Sequence, residues 1–174
     1  GGHEPAPFKR SNKSNQRLCF STHVVNNIIF DFDGTLFDSS EGIYEAYALS
    51  CDAVKATRLT KVDFIQHIGP PIVSIAQKLH ADLSHDQLVE FVHCFRLHYD
   101  RHLYLKSHPY QDVYKLLAYL YACDSFNVIG VVTNKPTIPA SRLLSNYNLS
   151  NFFDMIVGID FLSTTHSGER FASK

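Results

Sequence analysis

The sequence predicts an α/β fold: a parallel sheet with an α-helical segment inserted between its first two strands. Three observations predict it. Residues 24–30 and Val128–Val132 are short runs rich in β-branched and aromatic residues, the composition of strands covered on both faces. Each run breaks off in a polar cluster, Asp31-Phe32-Asp33-Gly34-Thr35 after the first and Thr133-Asn134-Lys135 after the second. Between them, roughly residues 40 to 103 carry only helical periodicity, and about 60 residues is far longer than an ordinary strand-to-helix connection.

Composition sets the outer bounds. A chain of 174 residues can bury one good core, so one domain with a subdomain fits better than two domains. With 45% hydrophobic and 19% charged residues, the composition is that of a globular chain. The net charge of −1 argues against a nucleic-acid-binding surface. No apolar run approaches the ~20 residues that span a bilayer, and no secretory signal is visible. Cys19, Cys51, Cys94 and Cys123 lie far apart without a C-x-x-C, and read as free thiols in a reducing, cytoplasmic setting. His98 and His102 stand four apart, a solvated or packed pair rather than a metal site.

In chain order, residues 1–22 read as a flexible tail or an expression-vector remnant, locally basic through Lys9, Arg10, Lys13 and Arg17. After the first strand, Asp38 and Ser39 are candidate N-caps for a helix whose Ile43, Tyr47, Cys51 and Val54 share one face. Thr60 opens a short helix that ends at Gly69, before Pro70-Pro71. Pro71 suits the first position of the next helix, where Ile72, Ile75, Ala76 and Leu79 form a stripe. Ser84 with Gln87 forms a capping box ahead of Leu88, Phe91, Val92, Phe95 and Tyr99. Val113, Leu116, Leu117 and Leu120 mark a further helix, Leu143, Leu144 and Tyr147 another, and residues 152–158 a third strand.

Two carboxylates flanking one apolar residue point the same way in extended backbone. Such a pair is stabilised by a divalent cation or a shared proton. One carboxylate can then attack an electrophile while the other moves a proton. The spacing alone is equally that of a strand closing in a turn-forming D-x-D-G. At the second strand end, Thr133 can donate to a phosphate oxygen, or can simply cap the helix before Pro136.

The stretch Asp31-Phe32-Asp33-Gly34-Thr35-Leu36-Phe37-Asp38-Ser39 resembles the first motif of the haloacid dehalogenase superfamily, D-x-D-G-T-L/V-x-D-S, in its phosphoglycolate-phosphatase-like branch. Val131-Val132-Thr133-Asn134-Lys135 resembles the second motif. His67-Ile68-Gly69-Pro70-Pro71 resembles the substrate-facing turn of the cap domain, and His108-Pro109-Tyr110 the turn back to the core, with Asp112 where the family usually has Gly. The resemblance implies a Rossmann-like core over residues 23–38 and 106–174, and a helical cap over 39–105 hinged near 37–40 and 106–110. It implies Mg²⁺-dependent hydrolysis of a small phosphorylated metabolite. Asp31 would be the nucleophile and Asp33 the acid/base, and both would serve the metal. Gly34, Thr35, Thr133 and Asn134 would bind phosphate, and Lys174 would match the charge-neutralising lysine of the third motif, with Lys135 in support.

The family's fourth, acidic motif is not in this sequence, and Asp160 follows the wrong strand to replace it. The chain is therefore expected to be a portion of a longer enzyme, because the missing strand would cover an open edge of the first. A homodimer would be another way to cover that edge. Within enzymes, a phosphosugar mutase or a dehalogenase is the runner-up. Outside them, the alternative is an inactive fragment that binds phosphate-bearing ligands or a protein.

Overall fold

A computed structural model describes residues 27–123 and 126–160. Strand β1 (Asn27–Phe30) enters a tight turn and leaves it through β2 (Phe37–Asp38). Four helices follow: α1 (Ser40–Val54), α2 (Lys61–Ile65), α3 (Ile72–Leu79) and α4 (His85–Tyr99). A 3₁₀ turn (Leu103–Lys106) and β3 (His108–Pro109) bring the chain back. Then come α5 (Val113–Ala122), β4 (Val128–Val132), α6 (Thr137–Asn146), a second 3₁₀ turn (Ser150–Phe152) and β5 (Met155–Val157).

The sheet is parallel, in the order β1-β4-β5. Its register pairs Phe30 with Val131, so β1 and β4 reach their polar ends at the same level. Among the described residues β1 pairs on one side only, the open edge that the sequence reading expects. Ile29 is half exposed, which corrects the expectation of a strand covered on both faces. The third strand is also shorter than expected. Phe152 belongs to the 3₁₀ turn, and pairing begins at Met155, because Asp154 closes the turn by exchanging bonds with the Ile129 backbone.

The helical segment is packed around Tyr47. Its ring stacks on Phe64 at 4.0 Å and meets Phe91 edge-on at 6.0 Å, and its hydroxyl accepts from the Leu59 N–H at 3.1 Å. Each such buried aromatic contributes on the order of 2–3 kcal/mol. The stripe Ile43, Tyr47, Cys51 and Val54 is buried as its spacing predicts. The Ser84–Gln87 capping box is formed, and Thr60 caps α2 through the Asp63 N–H. Two boundaries differ from expectation, and one is decided between two candidates. Helix α2 stops at Ile65, not Gly69. Pro71 stands at the cap of α3 rather than inside it. Of the two cap candidates for α1, Ser39 occupies the cap, while the Asp38 carboxylate accepts from the Ser40 N–H at 2.9 Å.

The two chain crossings between sheet and helices are tied together. Phe37 pairs with Pro109 and Asp38 with His108 in an antiparallel ribbon. Just beyond, Asp112 has φ +68°, in the left-handed region, where its carboxylate pairs with Lys115 at 2.6 Å. That conformation is why a glycine would serve there; aspartate is one of the few side chains that tolerate it. Asp112→Ala should therefore lower stability by about 1 kcal/mol, while Asp112→Gly stays within about 0.5 kcal/mol of the parent. Urea denaturation of the two variants checks this; an alanine variant as stable as the parent would show that the backbone there is unstrained.

Candidate active site

The site lies where the ends of β1 and β4 meet the inner wall of the helices. Asp31 is exposed, Phe32 is fully buried and Asp33 is half-buried, the alternation that extended backbone imposes. Phe32 stacks on Phe37 at 4.5 Å and anchors the turn. Gly34, at φ +83°, lets the chain reverse, and its N–H bonds to the Phe37 carbonyl at 2.8 Å. The Thr35 N–H is directed to the Phe32 carbonyl at 3.4 Å. Both backbone donors are thus committed within the turn, and Thr35 offers outward only its exposed hydroxyl.

At the second strand end Thr133 is almost fully buried. Its N–H bonds to the Val157 carbonyl, and its hydroxyl oxygen accepts from the Lys135 N–H at 3.0 Å. It shapes the loop rather than capping α6, and its own O–H remains a donor. The cap of α6 comes from a residue that pattern reading set aside. The Asp160 carboxylate accepts from both Thr137 N–H (2.8 Å) and Thr137 Oγ1 (2.6 Å). Asp160 and Asp38 are held below the ordinary carboxylate value by those hydrogen bonds, to Thr137 and Ser40 respectively. Each favours the ionised form in the fold, a stabilisation present above the ordinary value of 3.8 and lost as pH falls through the lowered one. Gly158 fixes the loop from below, since a Cβ there would stand 2.6 Å from the Lys135 carbonyl oxygen.

Lys135 is the unforeseen centre of the site. Its side chain is 1% exposed, and its ammonium lies 3.0 Å from Asp33 Oδ1. It also donates to the Tyr99 hydroxyl, over whose ring it sits, at the end of α4. Burial works against its charge, but Tyr99 and Asp33 outweigh burial and hold Lys135 above the ordinary lysine value. Burial pushes the Tyr99 phenol up, so that it accepts as a neutral hydroxyl. The sequence offered only the adjacency of Lys135 to Thr133; neither partner could be read from it. Asn134, next to Thr133, spans to the helices and donates to the Gly69 carbonyl at 2.8 Å. The strand-end loop therefore touches the helical segment twice.

A cleft runs between these elements, lined by Asp33, Asn134 and Lys135 on the sheet side and by Gly69, Arg96 and Tyr99 on the helical side. A second cavity opens over Asp33, Gly34, Asp38 and Tyr110. Two oxygen donors at the strand end suit a hard divalent cation. The Asp31 carboxylate makes no hydrogen bond or ion pair among the described residues, and the Asp33 main-chain carbonyl accepts none of the turn's backbone bonds. Among the described residues no three His, Cys, Asp or Glu side chains gather at one point. A hard cation such as Mg²⁺ takes one or two carboxylates and keeps its other positions for water and phosphate. Lys174 lies outside the described residues.

Comparison with known proteins decides the family. The family model of the haloacid dehalogenase-like hydrolases matches residues 28–166. The chain belongs to that family. It is 30% identical to a phosphoglycolate phosphatase of Aquifex aeolicus over 133 residues, 76% of this chain and 60% of that protein. It is 29% identical to the pyrophosphatase PpaX of Halalkalibacterium halodurans over 136 residues, again 60% of the relative. Among solved structures, a haloacid dehalogenase-like hydrolase from Streptococcus pneumoniae superposes with a TM-score of 0.68, with 29% identity over 78% of this chain and 61% of that one. This haloacid dehalogenase-like chain thus spans about 60% of the length of the relatives it matches.

Removing the buried cation should strand Asp33. Lys135→Met is expected to destabilise the fold by about 3 kcal/mol, and adding Asp33→Asn to recover at least about 1 kcal/mol of it. Chemical denaturation of both variants measures this, and additive losses would mean that the two groups do not interact.

Proposed function

We propose that this chain carries the active site of a Mg²⁺-dependent phosphatase that hydrolyses a small phosphomonoester through an aspartyl-phosphate. The observation that supports the reading is the parallel pairing that ends β1 and β4 at one level, so that Asp31 and Asp33 follow one strand end and the Thr133–Lys135 loop the other, with Asp33, Asn134 and Lys135 lining a cleft walled by helices. The names of the relatives, a phosphoglycolate phosphatase and a pyrophosphatase, support a small phosphorylated substrate.

In this reading the Asp31 carboxylate attacks phosphorus, the new O–P bond forms and the ester O–P bond breaks. Asp33 gives its proton to the leaving oxygen, then takes one from the water that splits the aspartyl-phosphate and frees Asp31. Thr133 donates its hydroxyl to a phosphoryl oxygen, Thr35 reaches the same group from the first turn, and Lys174 adds a neutralising charge. Mg²⁺, held by the Asp31 carboxylate and the Asp33 carbonyl, would offset charge on the phosphoryl oxygens. The helical segment acts as a cap that excludes bulk water, with Asn134 and Lys135 holding it against the core. A cytoplasmic setting accords with Cys51, Cys94 and Cys123 as free thiols.

One second reading keeps its place: a phosphate-binding module without turnover, favoured by the small number of metal donors gathered at the site. Phosphate release from a panel of phosphomonoesters separates the two. The expected result is Mg²⁺-dependent turnover that Asp31→Asn lowers by at least about a thousandfold. Turnover that survives Asp31→Asn removes the covalent mechanism, and phosphate binding without any turnover favours the module.

A further inference from the structure

His80 is a buried imidazole inside the helical segment. It caps the C-terminal end of α3, where its N–H bonds to the Ala76 carbonyl, and it is 7% exposed. Its ring stacks against Tyr47 of α1 at 5.8 Å and tilts against Phe91 of α4 at the same distance. Its Nε2 lies 3.1 Å from the Tyr47 hydroxyl and 3.6 Å from the Cys51 thiol. The donors present fix the direction of these bonds. The Tyr47 oxygen already accepts from the Leu59 N–H, so its own hydrogen goes to Nε2. Burial pushes the Tyr47 phenol and the Cys51 thiol up, so both keep their hydrogens through the neutral range. Facing two O–H and S–H donors, Nε2 is an acceptor and the ring is neutral. Burial also holds His80 below the ordinary histidine value, against the opposing pull of the exposed Asp82 carboxylate. Among the described residues, Tyr47 and Cys51 of α1 and Asp82 after α3 are the titratable groups that act on the ring. Helix α4 offers it Phe91, and α2 joins the cluster through Phe64, neither of them charged.

We propose that His80 is a proton-sensitive fastener of the helical segment: as the neutral ring it holds α3 against α1, and on taking up a proton it releases α3 and with it one wall of the cleft. A proton on Nε2 removes the acceptor of the Tyr47 O–H and leaves a cation within an aromatic cluster. Ile72 and Ile75 of α3, and Gly69 and Pro70 just before it, line the cleft, so release of α3 changes the shape of the cleft. The sheet takes no part in the contact and keeps its structure. A base held below its ordinary value stabilises the fold fully above 6.5, and that contribution is lost as pH falls through the lowered value.

Hydrogen exchange of the full chain, read by peptide mass spectrometry and corrected for intrinsic rates, tests this at about pH 7.5 and about pH 5.5 without requiring turnover. In the parent, protection of α3 (Ile72–Leu79) should fall at least about tenfold at the lower pH, while that of β4 stays within about twofold. His80→Gln keeps an acceptor for the Tyr47 O–H but takes up no proton, and should abolish the drop. Asp82→Asn removes the carboxylate that favours the charged ring, and at low ionic strength should move the drop to lower pH. A parent in which α3 shows no drop overturns the proposal. So does a drop that β4 shares, or one that persists in His80→Gln. Should His80→Gln not fold, Asp82→Asn decides: a drop at lower pH supports the fastener, and a drop at the parent's pH or above overturns it.

Discussion

A buried ammonium, that of Lys135, holds the site together. It meets the Asp33 carboxylate from the first strand end and the Tyr99 hydroxyl from the last turn of α4, while its backbone belongs to the second strand end. An unpaired charge at that depth would be costly, so the three segments are constrained to arrive together. This ties the geometry of the acidic turn to the docking of the helices. A change in the seating of α4 would be felt at Asp33 through one side chain, without any movement of the sheet.

The rest of the fold supplies the precision that this contact needs. Parallel pairing of Phe30 with Val131 sets the level at which both strands stop. Below the second loop, Gly158 permits close approach of the chain after β5, and Asp160 fastens the first turn of α6. Above it, Asn134 reaches the Gly69 carbonyl, in the turn between α2 and α3. The helical segment has its own aromatic core around Tyr47, so it can dock as a unit. The β2–β3 ribbon closes its base where the chain leaves and re-enters the sheet layer.

What could be read from the residues was what local chemistry dictates. The β4 run, the Ser84–Gln87 box and the buried stripe of α1 follow from period and capping, and the structure reproduces them. The acidic turn was visible because glycine and paired carboxylates leave a strong local signature. Contacts made across space had no such signature. Nothing adjacent to Lys135 in sequence announces Asp33 or Tyr99, and nothing near Asp160 announces Thr137. The aromatic pair Phe152-Phe153 suits a strand as well as a packed turn, and only the Asp154–Ile129 exchange decides between them. The half-exposed face of β1 likewise depends on neighbours that its own residues do not specify.

The central claim is that Asp31 takes the phosphoryl group covalently, and acid-quenched peptide mass spectrometry tests it most directly. Protein mixed with Mg²⁺ and a hydrolysed phosphomonoester, then stopped within one turnover, should carry one added phosphoryl group on the peptide that contains Asp31. The modification should vanish in mild base or hydroxylamine, as an acyl phosphate does. A phosphoryl group found on another residue, or none while phosphate is released, would contradict the account.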